Sequence, residues 1–175
     1  MKKPAMMKMM AVMVLGFSLA ALSACTDVAI RPGMPSYMSK IAIPTFQNRT
    51  GQPNLENEMT QQFNQDFMVD GRLEITDPDK ANALLLGTAV TYQLEPLLMD
   101  VHNTPQQYKM RIILYLALKD VKAGKNLWVE EKFEDSTTYY VANNLNVPPE
   151  NEQDARKRLI QQLSRRLIAR VIEGF

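Results

Sequence analysis

The sequence predicts an α+β fold in which an antiparallel or mixed β-sheet carries two α-helices packed on one face. Three observations support this class. Residues 54–70 and 150–173 repeat apolar side chains at helical spacing. Three segments between residues 84 and 134 alternate side chains with the period of a strand. The order is strand, helix, short strand, three-strand meander and long helix, which suits two layers around one core.

The first predicted strand covers residues 40–46, where branched and aromatic side chains precede a turn-rich loop. Pro44 lacks a backbone N–H, so we expect this strand either to lie at an edge or to end there. Asn54 is the expected cap of the following helix, and Gly71 is its expected stop. The apolar side chains that recur every four residues along this helix are Leu55, Met59, Phe63 and Phe67.

A short half-buried strand is predicted for residues 72–76, and three long strands follow, with a hairpin turn at Gly124 between the last two. Residues 84–95 place on one face Leu84, Leu86, Thr88, Val90, Tyr92 and Leu94. Residues 107–120 place on one face Tyr108, Met110, Ile112, Leu114, Leu116 and Leu118. The third long strand places on one face Leu127, Val129, Glu131 and Phe133. Together the three predict an antiparallel meander with one core side.

The segment 150–173 is predicted to be a long amphipathic helix with an apolar stripe that includes Leu159, Leu163 and Leu167. Its other face is basic. We favour a solvated face, because cations late in a helix also suit the helix dipole. The alternative is a surface that binds an anionic partner. The basic side chains are Arg156, Lys157, Arg158, Arg165, Arg166 and Arg170.

The N-terminus has the pattern of an export signal. Three lysines precede an uncharged apolar run over residues 9–21, which is shorter than the roughly 20 apolar residues of a transmembrane helix. The run leads into "LSACTD", which contains Cys25, the only cysteine. We therefore predict a cleaved signal peptide at residues 1–24, a lipidated N-terminus and tether at 25–39, and one folded domain at 40–175.

The stretch "LSACTD" resembles the lipobox of bacterial lipoproteins. The resemblance implies that the Cys25 thiol receives a diacylglycerol, that the signal peptide is cut just before it, and that the new amino terminus is acylated. Multiple acyl chains form a stable anchor, because each buried methylene contributes about 0.8 kcal/mol. Thr26, rather than an aspartate, follows the cysteine, which favours the outer membrane in enteric-type lipoproteins. The alternative for Cys25 is a buried thiol that packs as a small hydrophobe.

Composition argues against several kinds of function. Loss of Lys2, Lys3 and Lys8 with the signal peptide leaves 17 Lys+Arg against 19 Asp+Glu, and an exported lipoprotein rarely meets nucleic acid. His102 lies in a polar stretch with no cysteine left to share a zinc site. The sequence lacks a nucleophile elbow, a phosphate-binding glycine loop and paired metal-ligating histidines. We therefore expect no metal, no cofactor and no enzymatic activity.

The mature chain also resembles the LptE family of lipopolysaccharide-assembly lipoproteins. The resemblance covers residues 40–175 and rests on "FQNRTGQP", "DPDKANALLLGT", "GKNLW" and "RLIARVIEGF". It implies an LptE-like sandwich that sits as a plug inside LptD, a large outer-membrane β-barrel. It also implies a non-catalytic role in delivering lipopolysaccharide to the outer leaflet, from a lipid-anchored position on the periplasmic side of the outer membrane.

Direct contact with lipopolysaccharide would require cations for its phosphates. The candidates lie on the outward face of a long strand and near the hairpin. An alternative role for these side chains is to remain solvated and to discourage edge pairing. The candidates are Lys109, Arg111, Lys119, Lys122 and Lys125.

The opening "IAIPTFQNRTGQPN" is also similar to that of lipoproteins that activate peptidoglycan synthases and to that of the pore-forming lipoprotein CsgG. A CsgG-like pore needs additional hairpins, for which this chain has no room. A synthase activator needs a long tether, whereas residues 26–39 extend to about 45 Å at about 3.3 Å per residue. The short tether favours a partner in the same membrane, and the synthase activator is the alternative to the plug.

Overall fold

The structure is a computed structural model that describes Pro35, residues 37–142 and residues 147–173. The predicted signal peptide and Cys25 lie outside the described residues. The described elements form a mixed sheet with two helices, which confirms the predicted α+β class. In chain order they are β1 (Lys40–Ala42), β2 (Gln47–Asn48), α1 (Leu55–Asp70), β3 (Glu74–Ile75), β4 (Ala83–Met99), β5 (Pro105–Asp120), β6 (Lys125–Tyr140) and α2 (Glu152–Glu173).

The strands are arranged in the order β3-β1-β4-β5-β6, and β2 also pairs with β4. The predicted antiparallel meander is confirmed in β4, β5 and β6. The two short strands β1 and β2 run parallel to β4, and β3 runs parallel to β1. The first strand ends at Ala42, before Pro44, but the chain rejoins the sheet at Gln47–Asn48, which the sequence predicted to be loop.

Helix α1 confirms the predicted apolar stripe and stop. Leu55, Met59, Phe63 and Phe67 are all buried, and a left-handed Gly71 donates its backbone N–H to the Phe67 carbonyl oxygen at 3.1 Å. The expected side-chain cap at Asn54 is wrong. Asn54 has a φ of 64°, and its side chain accepts a bond from the Asn57 amide group instead of from a backbone N–H. Side-chain capping normally requires a β-region backbone, which this residue does not adopt.

Strict alternation along β4 fails at a β-bulge. Ala89 faces Leu114 and Thr91 faces Ile113, so Val90 is an extra residue. Because a bulge shifts the side-chain alternation by one, Tyr92 turns to the same side as Ala89 and packs against the core. The predicted grouping of Leu84 to Leu94 on one core face is therefore wrong. Before the bulge the core side holds Ala83, Leu85 and Ala89, with Leu86 42% exposed, and beyond the bulge Tyr92 and Leu94 pack against the core.

A second bulge lies in β6, where two residues, Glu131 and Lys132, lie opposite Tyr115. Phe133 is consequently buried while Val129, which the sequence placed on the same face, is 42% exposed. Strand β5 has neither interruption, and its predicted core face is confirmed. The fully buried members are Met110, Ile112, Leu114, Leu116 and Leu118.

The core sits between the sheet and the two helices, and Phe46 shows how tightly the layers approach. Its ring is buried and meets Phe63 edge to face, with 5.2 Å between ring centroids. A Cβ atom added at Gly87 would lie 2.2 Å from the Phe46 ring. Glycine at this position therefore allows the Phe46 ring to lie directly on the backbone of β4.

We expect Gly87→Ala to lower the free energy of unfolding by about 1 to 3 kcal/mol, because the added methyl group must displace a buried ring. Gly51→Ala is the matched control, since no atom lies within 4 Å of the added Cβ. Urea denaturation of both variants measures the difference. Equal stability of the two variants would show that Phe46 moves without cost.

Candidate functional site

The structure separates the five predicted cations into two groups. Lys109 and Arg111 lie near the start of β5, whereas Lys119 lies near its end and Lys122 and Lys125 belong to the β5–β6 hairpin. Ten residues of strand put Lys109 and Lys119 about 33 Å apart. The five cations therefore do not converge on one ligand, and only the last three lie close enough to act together.

Lys109 and Arg111 lie on the open face, which we define as the sheet face that the helices leave uncovered. Arg111 donates a hydrogen bond of 2.6 Å from Nη2 to Oε1 of Gln93, its neighbour across the β4–β5 pair. Glu95 is the β4 partner of Lys109 in the same register. Gln93 thus partly satisfies Arg111 from within the sheet.

The other three cations surround a contact that the sequence did not predict, the Tyr37–Asp120 clamp. The Tyr37 hydroxyl donates to Oδ2 of Asp120, the last residue of β5. Oδ1 of Asp120 accepts the Ala123 backbone N–H at 2.9 Å. The Lys122 ammonium lies 5.4 Å from the centroid of the Tyr37 ring. The clamp therefore fixes the residues just before β1 to the β5–β6 hairpin.

The clamp changes the titration of both its members in opposite directions. The Tyr37 hydrogen bond is the largest cause that lowers the pKa of Asp120, and the backbone N–H of Ala123 adds to it. The same bond to Asp120 raises the pKa of Tyr37 above its usual 10.0. The bond between a phenol and a carboxylate is thus favoured from acid pH to strongly alkaline pH.

The solvated-face interpretation of the basic stripe of α2 is wrong for Arg156, and the exposed or partly exposed arginines of the stripe include three that form ion pairs within the chain. Arg158 pairs with Glu150, Arg166 with Asp135, and Arg170 with Glu130. Arg156 is buried. Ion pairing within the chain explains the stripe, because the facing strand and the loop before α2 supply the carboxylates. Lys157, Arg165 and Arg166 are the exposed members.

Arg156 is the centre of a polar cluster between the two helices and the sheet. Its guanidinium makes two bonds to the Glu58 carboxylate, at 2.8 Å from Nε and 3.1 Å from Nη2. Nη1 lies 3.3 Å from Oε1 of Glu152, which also accepts the Tyr92 hydroxyl at 2.7 Å. Hydrogen bonds to Glu58 raise the pKa of Arg156, and burial raises the pKa of Tyr92. Arg156 therefore stays charged, and the cluster acts as a structural link.

Two apolar surfaces stand out among the residues that the structure describes. The first is a groove on the open face that encloses about 570 Å³. Its lining includes Pro44, Arg49, Leu86, Val90, Tyr115 and Glu131. The second is the distal tip, which we define as the β4–β5 turn with the last residues of β4. Its exposed apolar side chains are Leu97, Leu98, Met99 and Val101.

The sequence did not predict the groove or the distal tip, because folding brings their side chains together. Leu86 lies on the open face because Leu85 and Ala89 take the core face before the bulge, and Val90 is the extra residue of the bulge, for which a period-two pattern contains no signal. The tip has one sequence signal, the apolar run "LLM" before the turn. His102, for which zinc binding was rejected, lies exposed in this turn, and its backbone N–H donates to Asp100.

Comparison with protein-family models identifies the family of this chain. The model of the family LptE, described as lipopolysaccharide-assembly, matches residues 38–171. The chain belongs to the LptE family. The match spans the sheet and nearly all of both helices, so LptE membership applies to the whole described domain. The family assigns the chain to lipopolysaccharide assembly among lipoproteins and gives no indication of catalysis.

Solved structures share the fold of this chain at low sequence identity. A hypothetical protein from Chlamydia trachomatis superposes with a TM-score of 0.54 at 12% identity, covering 76% of this chain and 95% of that one. A protein from Xanthomonas campestris superposes with a TM-score of 0.53 at 8% identity, covering 82% of this chain and 89% of that one. A putative lipoprotein from Caulobacter crescentus superposes with a TM-score of 0.50 at 14% identity, covering 77% of this chain and 89% of that one. No curated protein matches the sequence.

Neither described helix of this LptE-family chain has the length and apolar character needed to cross a membrane. Cys25, the predicted lipidation residue, lies outside the described part, and its acylation stays a prediction. The five cations likewise stay candidates, now as two separate groups.

We expect Arg156→Met to lower the free energy of unfolding by about 2 to 3 kcal/mol, because it leaves Glu58 and Glu152 without their cation. The effect is below that of a fully buried pair because the Glu58 and Glu152 side chains are 28% and 40% exposed. Arg165→Met, at an exposed position of the same helix, is the control and should change stability by no more than about 0.5 kcal/mol. Similar urea midpoints for the two variants would contradict a structural role of the cluster.

Tyr37→Phe should raise the pKa of Asp120 towards its ordinary value of 3.8, because it removes the largest cause of the lowered pKa. A lowered folded-state pKa contributes stability that is complete above the unfolded pKa and is lost as the pH falls through the folded pKa. The variant should therefore lose part of the pH dependence of its stability below about pH 4. Carbon-13 NMR titration of the Asp120 carboxyl measures the shift, with Tyr115→Phe on the open face as control. An unchanged Asp120 titration would refute the clamp.

Proposed function

We propose that this chain is an outer-membrane lipoprotein, acylated at Cys25, that acts as plug and scaffold of an LptD-type β-barrel during lipopolysaccharide assembly. The observation that carries the proposal is the LptE family match over residues 38–171. The proposal adds three things to that match: the lipid anchor, the barrel partner and the position of the domain inside the barrel.

The dimensions of the domain support a plug. Strand β5 has 16 residues and extends about 50 Å, whereas the apolar band of an outer-membrane barrel is about 25 Å tall. The meander is therefore long enough to pass through a lumen. A lumen around the domain would face the surface of α2, where ion pairs join α2 to β6. These charged groups suit the polar interior of a barrel.

The distal tip supports a contact with the wall or loops of the barrel. Leu97 is 48% exposed and Val101 is 92% exposed, and both lie beyond the part of the sheet that the helices cover. An exposed group of large apolar side chains commonly marks a protein contact. Lys109 and Arg111 lie close to this end of β5, and we keep them as candidates for a lipopolysaccharide phosphate, with Arg111 leaving Gln93 to bind it.

The alternative is an activator of a peptidoglycan synthase. The packed positions of Tyr37 and Met38 weigh against it, because Met38 is buried and Tyr37 is bonded to Asp120. The free tether is then still shorter than the 14 residues from Thr26 to Ser39 that the sequence suggested. A domain held this close to its membrane suits a partner that lies in that membrane.

Affinity purification of the full acylated protein from detergent-solubilised outer membranes tests the proposal. We expect a large β-barrel protein to co-purify in equal amount. Leu98→Glu with Val101→Glu should lower the amount of barrel by about tenfold or more, because a charge buried at an apolar contact readily costs 1.4 kcal/mol. Met68→Glu with Val69→Glu, at exposed apolar positions of α1, is the matched control.

Recovery of a peptidoglycan synthase, or of no barrel, would overturn the plug and favour the activator. Recovery of the barrel at equal levels from both double variants would keep the plug and exclude the distal tip as its contact.

A further inference from the structure

We propose that the β5–β6 hairpin end of the sheet lies against the phospholipid surface of the anchoring membrane, where Lys122 and Lys125 contact anionic headgroup phosphates. The inference rests on the proposed acylation of Cys25. The surface consists of the hairpin residues 119–125 and Tyr37, and its partner is a lipid surface.

The first argument is the place where the folded chain leaves the domain. Tyr37 is fixed to Asp120 at the hairpin, and Met38 is buried next to it, so the path towards Cys25 starts at this end of the sheet. Twelve residue steps from Cys25 to Tyr37 reach at most about 40 Å. The distal tip lies about 50 Å further along the strands. The hairpin is therefore the end that the anchor holds close to the bilayer.

The second argument is charge. No ion pair joins Lys119, Lys122 or Lys125 to a carboxylate within the described ranges. Two of the acids nearby are neutralised by ion pairs. Glu74 pairs with Lys40 and Asp77 with Lys80, each at 3.1 Å, and Asp120 accepts bonds from Tyr37 and Ala123. Asp79 is the remaining exposed acid of the adjoining loop. Asp120 keeps its negative charge, because its partners Tyr37 and Ala123 are neutral. Three lysines against Asp79 and Asp120 therefore leave an excess of about one positive charge, which an anionic surface attracts.

The third argument is the apolar and aromatic content of the hairpin end. Val121 is 41% exposed between the lysines, and Tyr37 is 44% exposed beneath Lys122. Tyrosine is enriched at the membrane–water boundary because its ring is apolar and its hydroxyl is polar. Here the Tyr37 hydroxyl bonds to Asp120, so the clamp also holds the partly exposed Tyr37 ring at the surface of the hairpin end. The distal turn, by contrast, contains Asp100 and no lysine or arginine between residues 100 and 104.

The test compares the depth of the two ends of the molecule. Acylation removes the Cys25 thiol, so a cysteine introduced at Val121 or at Val101 becomes the only site for a fluorescent label. The acylated full chain, with the partner that co-purifies, is reconstituted into vesicles of phosphatidylethanolamine and phosphatidylglycerol that contain a headgroup-nitroxide lipid. We expect severalfold stronger quenching at Val121→Cys than at Val101→Cys.

The charge contribution is tested in the Val121→Cys background. Lys122→Gln with Lys125→Gln should reduce the quenching markedly, since each lysine near an anionic surface changes the binding equilibrium about fivefold. Lys132→Gln with Lys157→Gln removes the same charge elsewhere on the domain and should leave the quenching unchanged. In vesicles of phosphatidylcholine, which carry no net negative charge, Val121→Cys with its lysines intact should show the same reduced quenching as Lys122→Gln with Lys125→Gln.

The outcomes separate this inference from the proposed function. Stronger quenching at Val101→Cys, or equal loss from both lysine pairs, would overturn the inference even when the barrel co-purifies. Absence of the acyl mass at Cys25, read by mass spectrometry of the same sample, would overturn the inference together with the anchor.

Discussion

The arrangement of the domain depends on the bidentate contact between Arg156 and Glu58. It joins the start of α2 to the first turn of α1, and Tyr92 of β4 completes the cluster from the sheet. A guanidinium that is nearly excluded from water is tolerated only where its donors find acceptors in good geometry. The cluster therefore permits one register of the two helices on the sheet. Residues nearly a hundred positions apart are held together at this point, and the apolar side chains around them pack accordingly.

Helix α2 also contacts the edge strand of the sheet, β6. Strand β6 is an edge of 16 residues, long enough to attract a further strand. Arg166 donates to the backbone carbonyl of Glu134, and Arg158 donates to that of Thr138. These bonds occupy carbonyl groups of the edge strand and lay α2 along it. The arginines of α2 thus help to protect an edge that the fold cannot pair, which is a structural reason for a basic helix without any anionic partner.

The sequence predicted what depends on local periodicity and missed what depends on distant contacts. The order of elements, the meander and the core face of β5 could be predicted because each has an uninterrupted period. The faces of β4 and β6 could not, since one extra residue at Val90 or near Glu131 reverses the side chains that follow it. The Tyr37–Asp120 clamp joins positions 83 residues apart, and nothing in either local sequence indicates the other. Cys25 differs from the lysines in this respect, because a lipobox is contiguous whereas a binding surface is assembled by folding.

The two ends of the sheet differ in chemistry, and strand β5 connects them. The hairpin end has the clamp and three unpaired lysines, whereas the distal tip is apolar and has no cation in its turn. A hydrogen-bonded strand paired on both sides resists bending, so the orientation imposed at one end is transmitted over about 50 Å to the other. In the proposed assembly this rigidity has a specific use. A lipid anchor by itself limits only the distance of a domain from the membrane, but an anchor clamped to one end of a stiff sheet also determines which end points into the barrel.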